Sequence, residues 1–472
     1  MESHKTFRPW EPDRYVRQPL APAEVLPEDD LVFFLLDVVP SLDLSAMYAY
    51  YERETRGAPP FDVAMMATLL LYSYCVGVFS SRKIAAACER NLAFLAIVGR
   101  QRPDFRTISD FRKIHSQHMA GLFVEVLRLA GELGLVKLGN LALDGTKARA
   151  NASRHKAMSY GYMEKELQRL RDEVAALMKQ AERTDAEQDA ALGSRRGDEL
   201  PEELQRRANR IAAIEAAMKR LEAEAQQAAE AKRRAREQAQ AEREAQGTKP
   251  CGRQPKEIDE RPAHKAQTNF TDPEAKIMKT SNKGFDYCFN GQIVVDEEHQ
   301  IIVAAEVTSQ ANDKQQAVPL AQATLENLAA AGIELPKTSD EPAAPVKPIP
   351  LSADNGYFSE DNVTGLDSLP LDPHVATGRD KHNTPQPPLA EGQPAAEATV
   401  KQRMAHKLRT SAGRQCYAKR KQIVEPVFGQ MKHARGFRQF LLRGLKKVGA
   451  EWNLLCLTHN LLKIWRYHYA LT

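Results

Sequence analysis

The sequence predicts an α/β fold whose core is interrupted by a helical insertion and preceded by an all-helical N-terminal region. Two short apolar runs end in an aspartate, at Asp144 and Asp354, which is typical of buried strands. Between them, residues 157–246 carry apolar side chains at the spacing of a helical heptad. Residues 20–135 contain helix-start signals ahead of apolar runs. Strands that alternate with helices indicate an α/β core, and the long helical stretch indicates an insertion.

The N-terminal region is predicted to form helices. Three acidic residues, 28–30, precede an apolar run, and acidic side chains are favourable at the N-terminus of a helix. After Pro103, residues 105–113 predict a short basic helix. A helix, a turn and a basic helix are compatible with a helix-turn-helix that binds DNA. An ordinary helical bundle with basic surface residues is the equal alternative.

The pattern of apolar residues and cysteines argues against a membrane protein, a secreted protein, and a zinc or disulfide framework. The stretch from Val63 to Phe79 is uncharged and mostly apolar, but it is slightly short for a membrane span and contains Thr68 and Ser73, so a buried core helix is predicted. The first ten residues, MESHKTFRPW, lack an apolar signal region. The six cysteines show no C-x-x-C spacing, which argues against a zinc site and against a disulfide framework. We therefore expect a protein of the reducing cytoplasm that is not in a membrane.

The segment 157–246 is rich in Ala, Glu, Gln, Arg and Lys and predicts two long helices. Gly193 to Asp198 interrupts the pattern, and Pro201 suits the first turn of a new helix. We predict an antiparallel helical hairpin; a parallel coiled coil between two chains is the alternative. The apolar positions are, in the first half, Met163, Leu167, Leu170, Val174, Leu177 and Ala181, and in the second half Leu204, Ile211, Ile214, Met218, Leu221, Ala225 and Ala228.

The β signal is strongest after this segment. Residues 285–296 and 300–308 are rich in Val, Ile and aromatic residues and predict two strands, although Asn290-Gly291 is also a hairpin-turn signal. Residues 315–331 predict a helix. From Gln402 onward the chain is predicted to be helical, with core residues supplied by Trp452, Leu454, Leu455, Leu457, Leu461, Leu462 and Trp465. Residues 335–348 and 378–399 are predicted loops.

Charge is distributed unevenly along the chain. The whole sequence has a formal net charge of +4, but from Lys401 to Thr472 there are 16 Lys and Arg residues against two acidic ones, a local net charge of +14. A basic segment of this kind is typical of a surface that binds a polyanion, most often nucleic acid, and a merely soluble basic surface is the alternative.

Three acidic residues are candidates for chemistry. Asp144 and Asp354 each close a predicted strand, and Glu425 lies in the basic C-terminal region. Carboxylates at strand ends can converge, and such hard oxygen ligands suit Mg²⁺ or Mn²⁺. Each also has a purely structural interpretation. Asp144-Gly145 and Asp354-Asn355-Gly356 are turn signals, and Glu425 has Lys421 and Lys432 as possible ion-pair partners.

The motifs around these acids resemble those of a known family. Leu143–Lys147 and Ala353–Tyr357 resemble the first and second aspartate motifs of bacterial insertion-sequence transposases of the DDE superfamily. Tyr417, Lys421, Glu425 and Lys432 resemble the Tyr-Arg-Glu-Lys signature of that family. Two departures occur: Lys421 stands at the Arg position, with Arg420 beside it, and Tyr417 is one residue further away. Residues 285–296 resemble the second strand of the family, and Asn312-Asp313 matches a recurrent family position.

The resemblance implies an RNase H-like catalytic core in 136–156 and 270–472, interrupted by a helical hairpin and linker in 157–269 and preceded by a DNA-binding helical domain in 1–135. It implies that Asp144, Asp354 and Glu425 are catalytic and hold two Mg²⁺ or Mn²⁺ ions that assist phosphoryl transfer. Lys421, Lys432 and Tyr417 are the implied DNA contacts. Arg435 is a further candidate for contact with the DNA backbone, and its alternative is a solvated basic face.

The expected function is therefore metal-dependent cleavage and strand transfer of double-stranded DNA, at transposon ends and target. A homodimer on DNA is expected, because transposition requires two ends to be held together, as is a location at the nucleoid of the bacterial cytoplasm. The first alternative is a catalytically inactive DNA-binding protein derived from a transposase. The second is a structural coiled-coil protein built around 157–246.

Overall fold

The N-terminal helices begin where the sequence supplies capping side chains. The structure is a computed structural model that describes residues 25–53, 59–99, 101–192, 202–245, 257–280, 284–339, 344–378 and 387–470. Asp30, Asp62 and Asp104 each accept a hydrogen bond from the backbone of the helix that follows. The helices ahead of the first strand in these ranges are α1 (Leu31–Val38), α2 (Ser45–Glu52), α3 (Val63–Cys75), α4 (Ser81–Arg90), α5 (Leu92–Val98), α6 (Phe105–Ile114) and α7 (Ser116–Glu132).

Helix α3 is the core helix of this region, as the sequence predicts. Its residues from Met66 to Cys75 are all buried. It ends at Cys75 rather than Phe79, because Gly77 has a positive φ of 78° and turns the chain. Within the described residues, no single helix has the length and apolar composition of a membrane span, and one bent pair, Leu31–Ser41 with Ser45–Glu52, meets both criteria jointly.

A mixed sheet follows, so the chain is a mixed α/β protein with a helical N-terminal region. Strand β5 is antiparallel to β1 on one side and to β6 on the other, whereas β7 is parallel to both β1 and β8. The strands in the described ranges are β1 (Leu141–Arg149), β2 (Ala157–Ser159), β3 (Gln267–Asn269), β4 (Lys276–Lys279), β5 (Phe285–Asp296), β6 (Ile302–Thr308), β7 (Ile349–Ala353) and β8 (Leu371–Val375).

Two predicted turn signals lie inside strands. Asp144-Gly145 continues into β1, and Asn290-Gly291 lies within β5, so the turn interpretation is wrong at both places. Both glycines instead permit close approach. A Cβ at Gly145 would collide with the side chain of Gln292, its cross-strand partner, and a Cβ at Gly291 would lie 2.7 Å from the ring of Trp452.

The C-terminal region is largely helical, as predicted. The predicted helix at 315–331 is present as α10 (Ala317–Ala330) and α11 (Glu360–Asp367) follows β7. The last helices are α12 (Val400–Lys407), α13 (Ser411–Gly429), which continues into a π-helical turn (Gln430–Ala434), and α14 (Leu445–Ala470). Helix α14 packs against α3, α7 and β6, and its Trp452 is fully buried, whereas Trp465 is only half-buried.

The chain divides into two compact units. One contains the described residues of 1–150 and 288–472, and the other contains those of 151–287. In the second unit, β2 pairs with β3, and two long helices, α8 (Tyr160–Leu192) and α9 (Glu202–Ala245), pack against each other.

Ion pairs define the relative direction of α8 and α9. Glu166 pairs with Arg210, and Glu173, later in α8, pairs with Arg207, earlier in α9. The two helices are therefore antiparallel. Their apolar contact is formed by Met163, Leu167, Leu170, Ile214, Ala217 and Leu221. The predicted break at 193–198, Pro201 and the N-terminal ten residues lie outside the described residues.

Candidate active site

Asp144 and Asp354 lie side by side, because the sheet register places them there. The parallel pairing of β1 and β7 includes Leu143 opposite Ala353, and each aspartate is the next residue in its strand direction. The two predicted strands thus deliver both carboxylates to the same edge of the sheet. The charge of Asp354 raises the pKa of Asp144, as expected for neighbouring acids.

Asp144 occupies an environment that disfavours its charge. The pKa of its carboxyl is raised to about 6, chiefly by burial and to a smaller extent by the nearby acids Asp354 and Asp313. Two contacts act in the opposite direction: Nη1 of Arg420 donates to Oδ2 at 3.1 Å, and the backbone N–H of Gly145 donates to Oδ1 at 2.8 Å. Burial outweighs both, so the carboxylate is costly to ionise without a further cation.

Asp354 is held by the turn that its own sequence predicts. Its Oδ1 accepts the backbone N–H of Gly356 at 2.8 Å, and it caps a short 3₁₀ helix, Asn355–Tyr357. The turn interpretation of Asp354-Asn355-Gly356 therefore holds, and it is compatible with a functional carboxylate, because only one oxygen is used.

Arg420 brings a positive charge to the aspartates, and Lys421 does not. Arg420 is buried on α13, whereas Lys421 is exposed. Arg420 lies three, four and seven residues before Ile423, Val424 and Val427, the buried face of this helix. That spacing was the available sequence signal, and it favours Arg420 over its neighbour. Tyr417 is half-buried, and its ring centroid lies 5.9 Å from the guanidinium carbon of Arg420.

A polar network that the sequence did not predict adjoins the two aspartates. Oδ1 of Asp313 accepts hydrogen bonds from Nδ2 of Asn290 and Nε2 of Gln292, each at 2.7 Å. The hydroxyl of Tyr357 donates to Oε1 of Gln292. The charges of Asp313, Asp144 and Asp354 all raise the pKa of Tyr357, after burial as the main cause. The resemblance at Asn312-Asp313 was the only sequence signal for this network.

Glu425 is not gathered with the two aspartates into a metal-binding group. It is exposed on α13, and five residues separate it from Arg420, which corresponds to about 140° around a helix. Across the described ranges, no three Asp, Glu, His or Cys side chains are arranged so that they could hold a metal ion. Within these same ranges, no ion pair joins Glu425 to Lys421 or Lys432.

Lys432 lies against the strand that carries Asp144. Its Nζ donates to Oγ1 of Thr146 and, at 3.0 Å, to the carbonyl oxygen of Lys147. Thr146 is two residues beyond Asp144 and therefore on the same face of β1. Burial lowers the pKa of Lys432, with a smaller contribution from Arg438.

The structure corrects the prediction that Arg435 contacts DNA. The residue is buried, and its Nη1 donates to Oγ1 of Thr458 at 2.8 Å and to the carbonyl oxygen of Leu455 at 3.2 Å. Burial lowers its pKa to about 10. The guanidinium therefore satisfies the backbone of α14 inside the protein, and it is not available at a DNA-binding surface.

Comparison with protein families gives two matches. Residues 22–114 match a family described as "Transposase domain (DUF772)", and residues 391–465 match one described as "Transposase DDE domain". The first match covers α1 to α6, and the second covers α12, α13 and most of α14, including Arg420 and Glu425. No curated protein and no solved structure matches the chain.

Proposed function

We propose that the chain, which two family matches indicate to be an insertion-sequence transposase of the DDE superfamily, binds transposon ends and catalyses DNA strand cleavage and strand transfer. The observation that carries this proposal is the pairing of β1 with β7, which brings Asp144 and Asp354 together although 210 residues separate them in the chain. Neighbouring carboxylates can hold divalent cations of the kind that assist phosphoryl transfer.

Two of the proposed donors, Asp144 and Asp354, lie side by side and have the chemistry that suits a hard divalent cation. Both offer carboxylate oxygens, which Mg²⁺ and Mn²⁺ prefer, and because burial raises the pKa of Asp144, a bound cation would stabilise its ionised form. In the proposal, Asp144, Asp354 and Glu425 would hold two such ions. When bound, two ions stabilise the attacking and leaving oxygens of a phosphoryl transfer. The exposure of Glu425 on α13 leaves its carboxylate accessible for this purpose.

The basic residues of the site have complementary roles in the proposal. Arg420 neutralises Asp144 before DNA arrives, and its guanidinium can donate to a phosphate once the aspartate has another cation. Lys421 is exposed on the next position of α13 and contacts the DNA backbone, whereas Lys432 and Tyr417 line the approach to β1 and to Arg420. Contacts of this kind provide affinity without sequence readout.

The domain assignment is part of the proposal. An RNase H-like core is supported by the mixed sheet, in which the central strand β1 carries the first aspartate between an antiparallel and a parallel neighbour. The antiparallel contacts of α8 and α9 support a helical hairpin inserted between the first and second strands of that core. We assign 136–156 and 270–472 to the catalytic domain and 157–269 to the insertion and linker.

Recognition of DNA ends is assigned to the N-terminal domain, 1–135. Helix α6 presents Arg106 and Lys113 to solvent, and α4 presents Arg82 and Lys83. The guanidinium of Arg82 lies 4.8 Å from the ring centroid of Phe105, at the start of α6. This basic pair of helices supports contact with DNA phosphates by a helix-turn-helix. A homodimer in the DNA complex would bring two ends together.

The test is cleavage of a supercoiled plasmid that carries the element's own ends, with Mg²⁺ or Mn²⁺. We expect wild type to cut at the ends, and Asp144→Asn, Asp354→Asn and Glu425→Gln each to abolish cutting while DNA binding persists. The exposed acid Asp367, in α11, supplies the control Asp367→Asn, which should cut normally. Cutting by the three variants would refute the acid assignment. Binding without any cutting by wild type would favour a catalytically inactive DNA-binding protein.

A further inference from the structure

Helix α9 continues well beyond the apolar contact that holds it to α8. The residues of α9 in that contact are Ile214, Ala217 and Leu221, whereas the helix ends only at Ala245. From Glu230 to Ala245, every side chain that the structure describes is exposed. This stretch is about 24 Å long at 1.5 Å per residue. It contributes nothing to a core, so its purpose must lie in what its surface contacts.

The face of α9 that is apolar beside α8 becomes basic in the exposed stretch. A helix returns to the same face after eighteen residues, which make five full turns at about 100° each. Eighteen positions after three residues of the apolar face, Ile214, Met218 and Ala225, the sequence has, in that order, Lys232, Arg236 and Arg243. All three of these later side chains are exposed. We call them the basic face of α9.

The acidic residues of this stretch leave the basic face largely uncompensated. Three of them recur every seven positions and therefore share a different side of the helix: Glu230, Glu237 and Glu244. The neighbouring arginines are paired with acids, Arg233 with Glu260 and Arg234 with Glu230. Among the acids that the structure describes, none forms an ion pair with Lys232 or Arg243.

The composition of the exposed stretch favours a polyanion over a protein as its partner. Its apolar residues are all alanines, so it lacks the large apolar and aromatic side chains that anchor protein interfaces. Lys232 and Arg243 are separated by about 16 Å along the helix axis. Each strand of duplex DNA carries one phosphate per ~3.4 Å of its own axis, so a row of this length can face several phosphates.

We propose that the basic face of α9, formed by Lys232, Arg236 and Arg243, binds the phosphates of duplex DNA without reading its sequence. This inference rests on the proposed function, because DNA is the substrate in both. It gives the inserted helices a role of their own: they add affinity for the DNA backbone, whereas recognition of the ends is assigned to residues 1–135. Contacts to phosphates hold a duplex in place and carry no sequence information.

The test measures binding of the full-length protein to a fluorescent duplex of random sequence, by anisotropy over a series of salt concentrations. The variant carries Lys232→Gln, Arg236→Gln and Arg243→Gln together. Each phosphate contact contributes about 0.9 to the slope of log affinity against log salt, so the slope should become less steep by roughly 2–3. Affinity at low salt should fall roughly tenfold or more, whatever the sequence of the duplex. Glutamine is a good helix former, and circular dichroism verifies that α9 persists.

A matched control removes the same charge from other exposed positions of α8 and α9, through Lys165→Gln, Lys179→Gln and Lys219→Gln. This control should retain the salt slope of wild type. If the variant of the basic face also retains slope and affinity, while wild type cuts plasmid at the element's ends, the inference is refuted and the proposed function stands. If wild type does not bind duplex DNA, both are refuted.

Sedimentation velocity without DNA tests whether the basic face instead binds a second copy of the chain. The acidic side of one α9 could pair with the basic face of another, and such a dimer would weaken as salt is added. We expect wild type and the variant of the basic face to sediment alike. A dimer of wild type that the variant loses, together with an unchanged salt slope for DNA binding, would overturn the inference.

Discussion

Replacing Asp144 by asparagine should stabilise the protein in the absence of metal. Burial raises the pKa of Asp144 from an ordinary value of 3.8 to about 6, although Arg420 and the N–H of Gly145 favour the charged form. Each pH unit of such a shift corresponds to about 1.4 kcal/mol, so the ionised carboxylate costs the folded state ~3 kcal/mol. Asparagine is neutral and nearly isosteric, and it removes this cost.

The sign of the pH dependence follows from the raised pKa. Above about pH 6 the carboxyl is ionised in both the folded and the unfolded chain, and the folded state bears the full cost. As the pH falls through 6 toward 4, the folded state takes up a proton first and the cost disappears. The advantage of Asp144→Asn should therefore be ~3 kcal/mol at pH 8 and should shrink at pH 5.

Urea unfolding with a metal chelator, followed by circular dichroism at pH 8 and pH 5, measures this difference. The control Asp367→Asn changes an exposed acid and should alter the free energy of unfolding by less than about 0.5 kcal/mol. The reasoning is refuted if Asp144→Asn is no more stable than wild type at pH 8, or if its advantage does not depend on pH.

Three further predictions follow from other contacts. Arg420→Gln should raise the pKa of Asp144 above 6, measured by carbon NMR of the carboxyl, because it removes the largest effect that lowers that pKa; an unchanged titration would contradict the ion pair. Glu451→Ala should destabilise the protein by about 2–3 kcal/mol in urea unfolding, because two buried donors and one partly buried donor lose their acceptor; stability equal to wild type would contradict this. Gly291→Ala should lower the free energy of unfolding by about 1–3 kcal/mol, because its Cβ would press against a buried tryptophan ring. The control Gly429→Ala adds a Cβ that meets nothing within 4 Å, so it should leave stability unchanged or raise it. Equal effects of the two substitutions would show that the close approach at Gly291 does not affect stability.

The sequence predicted the position of the two aspartates because strand ends are local features. A short apolar run followed by an acid indicates a buried strand, and the structure has β1 and β7 at these runs. That the two strands are neighbours is a long-range fact, which neither run contains. It came from the resemblance to a family and from the observed register.

Other features depended on which side of an element a residue faces. The motif spacing pointed to Lys421, but the buried face of α13 carries Arg420. The charge of Arg435 was the basis for predicting that it contacts DNA. Charge alone does not reveal that α14 offers this residue buried carbonyl and hydroxyl acceptors. Asn290-Gly291 and Asp144-Gly145 have the composition of turns, yet the cross-strand packing of Gln292 and Trp452 decides their conformation.

The ladder between β1 and β7 makes the spacing of Asp144 and Asp354 independent of how much chain lies between them. Leu141, Ala142 and Leu143 are each paired with a residue of β7, so the positions of the acids are fixed by register and not by the connecting segments. Lengthening a flexible connection costs little, about 0.6 kcal/mol for each doubling. Related chains can therefore differ greatly in the length of the segment corresponding to 151–287 while the two acids stay in place. A sequence alignment that penalises long insertions heavily would not detect such a relationship.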